Sequence, residues 1–347
     1  MNKVNEINSL KDFYNLKPSK IYIFPKSSKG IGLYNILKKR FKGIKFIDNC
    51  IKGKNIFKLN SNDVKNSSVI LVDIDKQKYL KNKSLNVHYC YYDNFVRIFE
   101  NKKLTNKTII LKKKYVIKKL RDKESKEIYN LIINSILEKN NKKLHNFFIE
   151  KFKRADTIKN MYYDYLKKIN IKNPTVLDIG SSEGEFLSQI KKYHKTYNYF
   201  GFDPLANKDI NLQDISINRM GIGRYDGFAK IIKKKILNQT QIKKCSKNNS
   251  TIKVLKIDTF MKLKKINKLD IIKVDVEGDE ENVLAGAWKS IKKYRPSLFI
   301  SCYHGPNQFL NIPYYLMKNL TNYTFEIRTY RCDGMETKIY CLPKNIK

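Results

Sequence analysis

Three groups of residues in this 347-residue chain have the types and spacing to do chemistry. Asp275 and Glu277 follow the mostly apolar run Ile271-Ile272-Lys273-Val274. Acids two apart share one side of an extended strand. There they could steady a cationic cofactor, position a substrate hydroxyl or hold a divalent metal. Lys273, on the same side, is expected to pair with one of them. His304 ends the next apolar run, after Ser301-Cys302-Tyr303. Its ordinary pKa suits it to take a proton from a hydroxyl near neutral pH. The other histidines, His88, His145 and His194, read as structural or surface residues. The third group is Asp178-Ile179-Gly180-Ser181-Ser182-Glu183-Gly184, with Asp203 25 positions after Asp178. Strand, small-residue turn, helix, strand and acid is how an α/β sheet holds an adenosine. Backbone comes close at the glycines, and the second acid accepts from ribose hydroxyls.

Glu183 narrows the cofactor. It stands at a predicted helix start, where the positive helix end favours an anion. An acid there repels a pyrophosphate placed as in a nicotinamide enzyme. It suits a cofactor carrying an ammonium or sulfonium, which favours S-adenosylmethionine. Asp178, Gly180, Ser182, Glu183, Gly184 and Asp203 are therefore the candidate cofactor-binding residues, and His304, Asp275 and Glu277 the candidate catalytic ones.

These groups must be held by a sheet. Predicted strands are Thr175–Ile179, Tyr197–Phe202, Ile215–Gly221, Ile252–Ile257, Asp270–Val276, Ser297–Cys302, Thr324–Tyr330 and Thr337–Leu342. Helices are expected over Glu183–Tyr193 and Glu280–Lys293. Strands and helices alternate first, and strands alone follow. That order predicts a mostly parallel α/β sheet closed by an antiparallel hairpin. The lysine-rich stretch Lys230–Asn249 reads as an exposed insertion. Upstream, Ile21–Phe24, Ile44–Asn49 and Ser68–Asp73 read as strands of a small Rossmann-like α/β unit, with a turn at Gly30-Ile31-Gly32. From Lys112 to Lys168 apolar residues recur at helical spacing with no Gly or Pro, which predicts a helical connector. The expected domains are residues 1–108, 109–170 and 171–347.

Composition bounds the rest. The formal charge is +39, yet only nine of the 71 basic residues are arginine. Readers of bases and phosphates lean on arginine's planar fork, so the excess reads as a solvated lysine surface and nucleic acid is not the expected partner. The six cysteines form no C-x-x-C pair, which fits a reducing compartment and gives no zinc ribbon. No apolar run is long enough to span a membrane, and residues 1–20 do not read as a secretory signal. A cytoplasmic location is expected.

Together the runs resemble the FkbM-type methyltransferases. The resemblance rests on Asp178 through Phe186, on Phe202-Asp203-Pro204, and on Ile272 through Ala287 with its K-V-D-V-E-G and L-A-G-A segments. Arg295-Pro296, Tyr303-His304 and Ile312-Pro313 continue it. It implies a class I methyltransferase sheet, S-adenosylmethionine as cofactor, and O-methylation of a sugar hydroxyl on a surface glycan or nucleotide sugar. The roles of His304, Asp275 and Glu277 rest on their position in the sequence, not on the family. No metal ligand set and no adenine ligand is assigned; Arg224 and Asp226 stand where the family often places an acid near the adenine. Homo-oligomerisation through the N-terminal domain is a further expectation. An RNA methyltransferase and a non-catalytic module on a cofactor fold are the alternatives.

Overall fold

A computed structural model of the protein describes residues 5–7, 21–24, 33–34, 37–38, 43–47, 56–57, 68–71, 86–90, 106–138, 140–153, 157–158, 161–169, 171–182, 184–206, 209–212, 214–233, 240–247 and 252–344. They fall into two compact units. One comprises Met1–Lys102, Asn134–His145 and Lys234–Gln239; the other comprises Lys103–Ile133, Asn146–Lys233 and Thr240–Lys347.

The first unit carries a six-stranded sheet of β1 (Asn5–Ile7), β2 (Ile21–Phe24), β3 (Lys45–Ile47), β4 (Ile56–Phe57), β5 (Ser68–Leu71) and β6 (Asn86–Cys90), in the order β1-β6-β5-β2-β3-β4. Every pairing is parallel. The central β2 is buried at all four positions, as a strand covered on both faces must be. Three strands were expected; β1, β4 and β6 add to them, β1 and β4 being too short for a clear two-residue period. The Gly30-Ile31-Gly32 turn lies outside the described residues.

The predicted connector is helical but not continuous: α1 (Asn106–Lys119), α2 (Lys123–Glu138), α3 (Lys142–Phe152) and α4 (Tyr163–Lys168). Capping side chains make the breaks. Asp122 accepts from the backbone N–H of Ser125 at 2.9 Å and from its hydroxyl at 2.6 Å, and Asn140 accepts from Lys142 N at 2.9 Å.

The main sheet is eight-stranded: β7 (Thr175–Ile179), β8 (Asn198–Phe202), β9 (Ile210–Asn211), β10 (Ile215–Asn218), β15 (Ile271–Val274), β16 (Ser297–Ser301), β17 (Tyr323–Arg328) and β18 (Lys338–Pro343). Its order is β17-β18-β16-β15-β7-β8-β10-β9. The five strands from β16 to β10 are parallel, and the β17–β18 hairpin runs antiparallel beside β16, as the sequence predicts. The outer edge of β17 is covered: Arg121 N donates to Phe325 O at 3.0 Å, and Ile327 N donates to Ser125 Oγ at 2.9 Å.

Between β10 and β15 in sequence the chain forms a second sheet, β11 (Gly221–Ile222), β12 (Gly227–Lys233), β13 (Thr240–Cys245) and β14 (Ile252–Leu255), in the order β11-β14-β12-β13. It corrects three expectations. The predicted strand Ile215–Gly221 splits at Arg219, where Asp209 accepts from the Arg219 N–H, and its two parts join different sheets. The predicted Ile252–Ile257 strand belongs to the small sheet. The supposed insertion is largely the β12–β13 hairpin, paired from Phe228–Cys245 to Lys233–Thr240. Ala229, Ile231, Ile242, Ile252 and Val254 pack together on one side of it; the lysines between them hide that alternation.

Helices α5 (Glu185–Tyr193), α6 (Ile257–Leu263), α7 (Glu280–Tyr294) and α8 (Pro306–Asn319) complete the unit. An aromatic cluster fills one side of the sheet. Tyr165 stacks on Tyr340 with ring centroids 3.5 Å apart, and Tyr162 stands edge-on to Phe186 at 4.8 Å. Phe260 of α6 packs edge-on against Phe202 at 4.7 Å. Gly286 in α7 is required by close approach: a Cβ there would lie 2.0 Å from Gly223 O. That contact accounts for the glycine of the L-A-G-A segment.

Candidate active site

The chain crosses from β7 outward to β8 and later returns to place β15 on the other side of β7. In such sheets ligands sit beyond the carboxyl ends of the strands at the switch. Asp178, Asp203, Asp275 and His304 all stand at or just past the carboxyl ends of strands on that edge.

Asp178 is fully buried. One oxygen accepts from the Tyr199 hydroxyl, and the other lies 2.9 Å from Lys273 Nζ. Lys273 also donates to Gly180 O at 2.6 Å, so the buried pair clamps the turn. Lys273 thus ion-pairs with Asp178 and not, as expected, with Asp275 or Glu277, because its side chain points toward β7. Burial works against the Lys273 ammonium, but Asp178 outweighs it and the lysine's pKa is raised.

Gly180 adopts φ +80°, and a Cβ on it would lie 1.8 Å from Asp275 O. The room it leaves is used by the neighbouring strand's backbone. The open position is Gly184, with φ +84° and no atom nearer a Cβ than Leu187 at 3.9 Å. Ser182 is exposed at φ +45°, and its N–H donates to Asp203 Oδ2 at 2.9 Å. Asp203 Oδ1 accepts from Leu205 N at 2.8 Å. The half-buried Asp203 is thereby fixed at the end of β8, where a carboxylate keeps further acceptor capacity for a diol. Glu183 lies outside the described residues. Asp226 accepts from Lys256 N at 2.8 Å and Thr259 Oγ1 at 2.8 Å, so it is engaged at the start of α6.

The catalytic candidates converge on His304, whose side chain is 1% exposed. Nδ1 lies 2.7 Å from Glu280 Oε1. A carboxylate can only accept, so Nδ1 carries the hydrogen. Nε2 lies 3.5 Å from Asp275 Oδ1 and 3.6 Å from Glu277 Oε2. Asp275 and Glu277 therefore meet, but not as neighbours on a strand: β15 stops at Val274, and Glu277 turns back through φ +57° before Gly278 at φ +111°. Burial alone would lower the His304 pKa; Glu280 first, then Asp275 and Glu277, outweigh it and hold it above the ordinary value of 6.5.

Glu280 stands at the start of a predicted helix. The structure makes it the fully buried hub of this corner. It accepts from Val276 N at 3.0 Å and from Gln308 Nε2 at 2.6 Å, besides His304. Burial raises its pKa, and His304 overcomes that to leave it lowered.

Lys338 went unmarked in the sequence. It is fully buried, donating to Asp275 Oδ2 at 2.8 Å and Ser301 Oγ at 2.7 Å, with Glu336 Oε2 at 3.5 Å. Its Nζ lies 5.4 Å from the Tyr303 ring centre, and the Tyr303 hydroxyl donates to Glu336 at 3.0 Å. Burial opposes the Asp275 carboxylate, yet Lys338, His304 and Lys273 hold its pKa well below the usual range. The available signal was a lysine within the strand Lys338-Ile-Tyr-Cys-Leu, where a charge needs a partner. Asp275, Glu280 and His304 also bring one donor atom each within 4.8 Å of one another, close enough for one cation.

Four carboxylates (Asp275, Glu277, Glu280, Glu336) thus surround the Lys338 ammonium and the His304 imidazole. In a chain of formal charge +39 this corner is locally negative. It is chemically suited to a cationic cofactor and to moving a proton.

Residues 178–331 match the family described as the methyltransferase FkbM domain. The chain is also similar to the crystal structure of Methyltransferase FkbM from Methylobacillus flagellatus KT, with a TM-score of 0.61 and 16% identity over 95% of this chain and 91% of that one. At that identity the likeness is one of fold. No curated protein matches the chain.

Proposed function

We propose that this chain, whose residues 178–331 form a methyltransferase domain of the FkbM family, transfers a methyl group from S-adenosylmethionine to a sugar hydroxyl. The observation that carries the reading is the acid-lined corner around His304 beside the turn at Gly184 and Asp203. S-adenosylmethionine supplies an electrophilic methyl on a sulfonium, so the protein must align the acceptor and remove its proton. Asp203 would hold the ribose, and the backbone from Gly180 to Gly184 the methionine end. Asp178 acts through Lys273, which fixes Gly180 O. Glu183 retains its assignment as an acid near the sulfonium.

Glu280 holds the Nδ1–H tautomer of His304 and directs Nε2 toward Asp275 and Glu277. Glu277 is the exposed member of that trio, so an acceptor hydroxyl enters beside it. Neutral His304 takes the hydroxyl proton at Nε2, and Asp275 and Glu277 stabilise the imidazolium formed. Among the described residues no helix is long and apolar enough to cross a membrane; the acceptor is proposed to be a cytoplasmic nucleotide sugar or glycan.

Calorimetric titration tests the first half. S-adenosylmethionine is expected to bind, and Asp203→Ala to weaken it at least tenfold; no binding by the parent chain ends the proposal. Transfer of label from methyl-labelled cofactor to glycan extracts tests the second half, and transfer to RNA instead would replace the acceptor.

A further inference from the structure

A cavity of about 530 Å³ lies among α1, α7 and α8, with Arg224 at its wall. That volume suits a ligand of one or two sugar rings. Lys112, Arg224 and Lys318 line it against one acid, Glu281. Lys112 is set in place: Nζ donates to Asn311 Oδ1 at 2.6 Å and lies 5.4 Å from the Tyr314 ring centre. Lys318 Nζ reaches the same ring at 5.8 Å. Arg224 makes no ion pair with another described residue.

Three cations facing one cavity repel one another, and an anion placed among them relieves that repulsion. Asn282, Asn319 and Tyr315 add amide and hydroxyl partners and an aromatic edge, the chemistry that holds a polyhydroxylated ring. The same two helices build both sites. Glu280 turns into the His304 corner while Glu281 lines the cavity. On α8, Gln308 reaches Glu280, and Asn311, nearly one turn of about 5.4 Å further on, lines the cavity.

We infer that this cavity is an anchoring site for a phosphorylated sugar, with the phosphate among Lys112, Arg224 and Lys318. It is the acceptor's site if the proposed methyl transfer holds. Binding is measured separately from transfer, so the two can fail independently. Calorimetry on the full chain would use glucose 1-phosphate, uridine diphosphate glucose, glucose and inorganic phosphate as probes. At least one phosphorylated sugar is expected to bind tenfold or more tighter than glucose or phosphate, and a preference for the uridine probe makes the source nucleotide-borne. Arg224→Ala and Lys318→Ala should each weaken that binding about tenfold, Arg224→Lys less, with S-adenosylmethionine affinity unchanged in Lys318→Ala. Equal binding of glucose and glucose phosphate, binding of phosphate as tightly as its sugar ester, or variants that bind like the parent would overturn the inference. Sugar phosphate binding without cofactor binding would leave it standing and end the methyl-transfer reading.

Discussion

Glu280 Oε1 lies 2.7 Å from His304 Nδ1, with both side chains sealed from solvent. The pair links the first turn of α7 to the loop after β16 and sets which imidazole nitrogen faces the open side. A base bound this way is stronger than an ordinary histidine, so its working range lies higher.

The pH profile of methyl transfer should show this. The acidic limb of kcat/KM is expected to lie above pH 6.5 in the parent enzyme and to move down toward that value in Glu280→Gln, which keeps an acceptor but removes the charge. His304→Ala should lower kcat by about 10²–10⁴-fold, the usual contribution of a general base. An unchanged limb in Glu280→Gln would remove Glu280 from its positioning role.

Stability should follow the same groups. The raised His304 pKa means its contribution is complete below the ordinary histidine value and lost as pH rises through the raised one. The lowered pKa values of Asp275 and Glu280 mean that theirs is present above the ordinary carboxylate range and lost as pH falls through the lowered values. Thermal midpoints should therefore decline on both sides of a maximum in mildly acidic to neutral buffer. Glu280→Gln should flatten the alkaline decline, which melts recorded across pH would reveal.

Lys338→Met should cost about 3 kcal/mol, because it leaves the partly buried Asp275 carboxylate without its main counter-charge. The double substitution with Asp275→Asn should recover much of that loss. Denaturant unfolding of the two single variants and the double one closes the cycle; additive losses would show the two are not coupled.

Two glycines of one turn should behave differently. Gly180→Ala drives a methyl into the Asp275 carbonyl and should prevent soluble folding. Gly184→Ala meets open space and should cost only the left-handed backbone penalty, about 1–2 kcal/mol. Expression and denaturant melts separate them.

Much of the main sheet was legible because its central strands are buried, mostly apolar runs with an acid in or just after them, as Thr175–Ile179 and Ile271–Val274 show. Within the site, spacing brought Asp275, Glu277 and His304 to one place, though through a left-handed turn at Glu277 and not a shared strand face. Glu280 was hidden because an acid in the first turn of a helix has an ordinary solvent-exposed explanation. Lys338 was hidden because its partner is 63 residues away. The β12–β13 hairpin was obscured by lysines on its exposed positions.

The covering of β17 by the start of α2 has a consequence for assembly. At that end of the main sheet Arg121 and Ser125 already occupy ladder groups that an incoming chain would need, and at the other end β9 offers only two residues. Sheets protected this way do not grow by adding strands. Self-association must therefore bypass the edges of the main sheet, which give no template for fibrils.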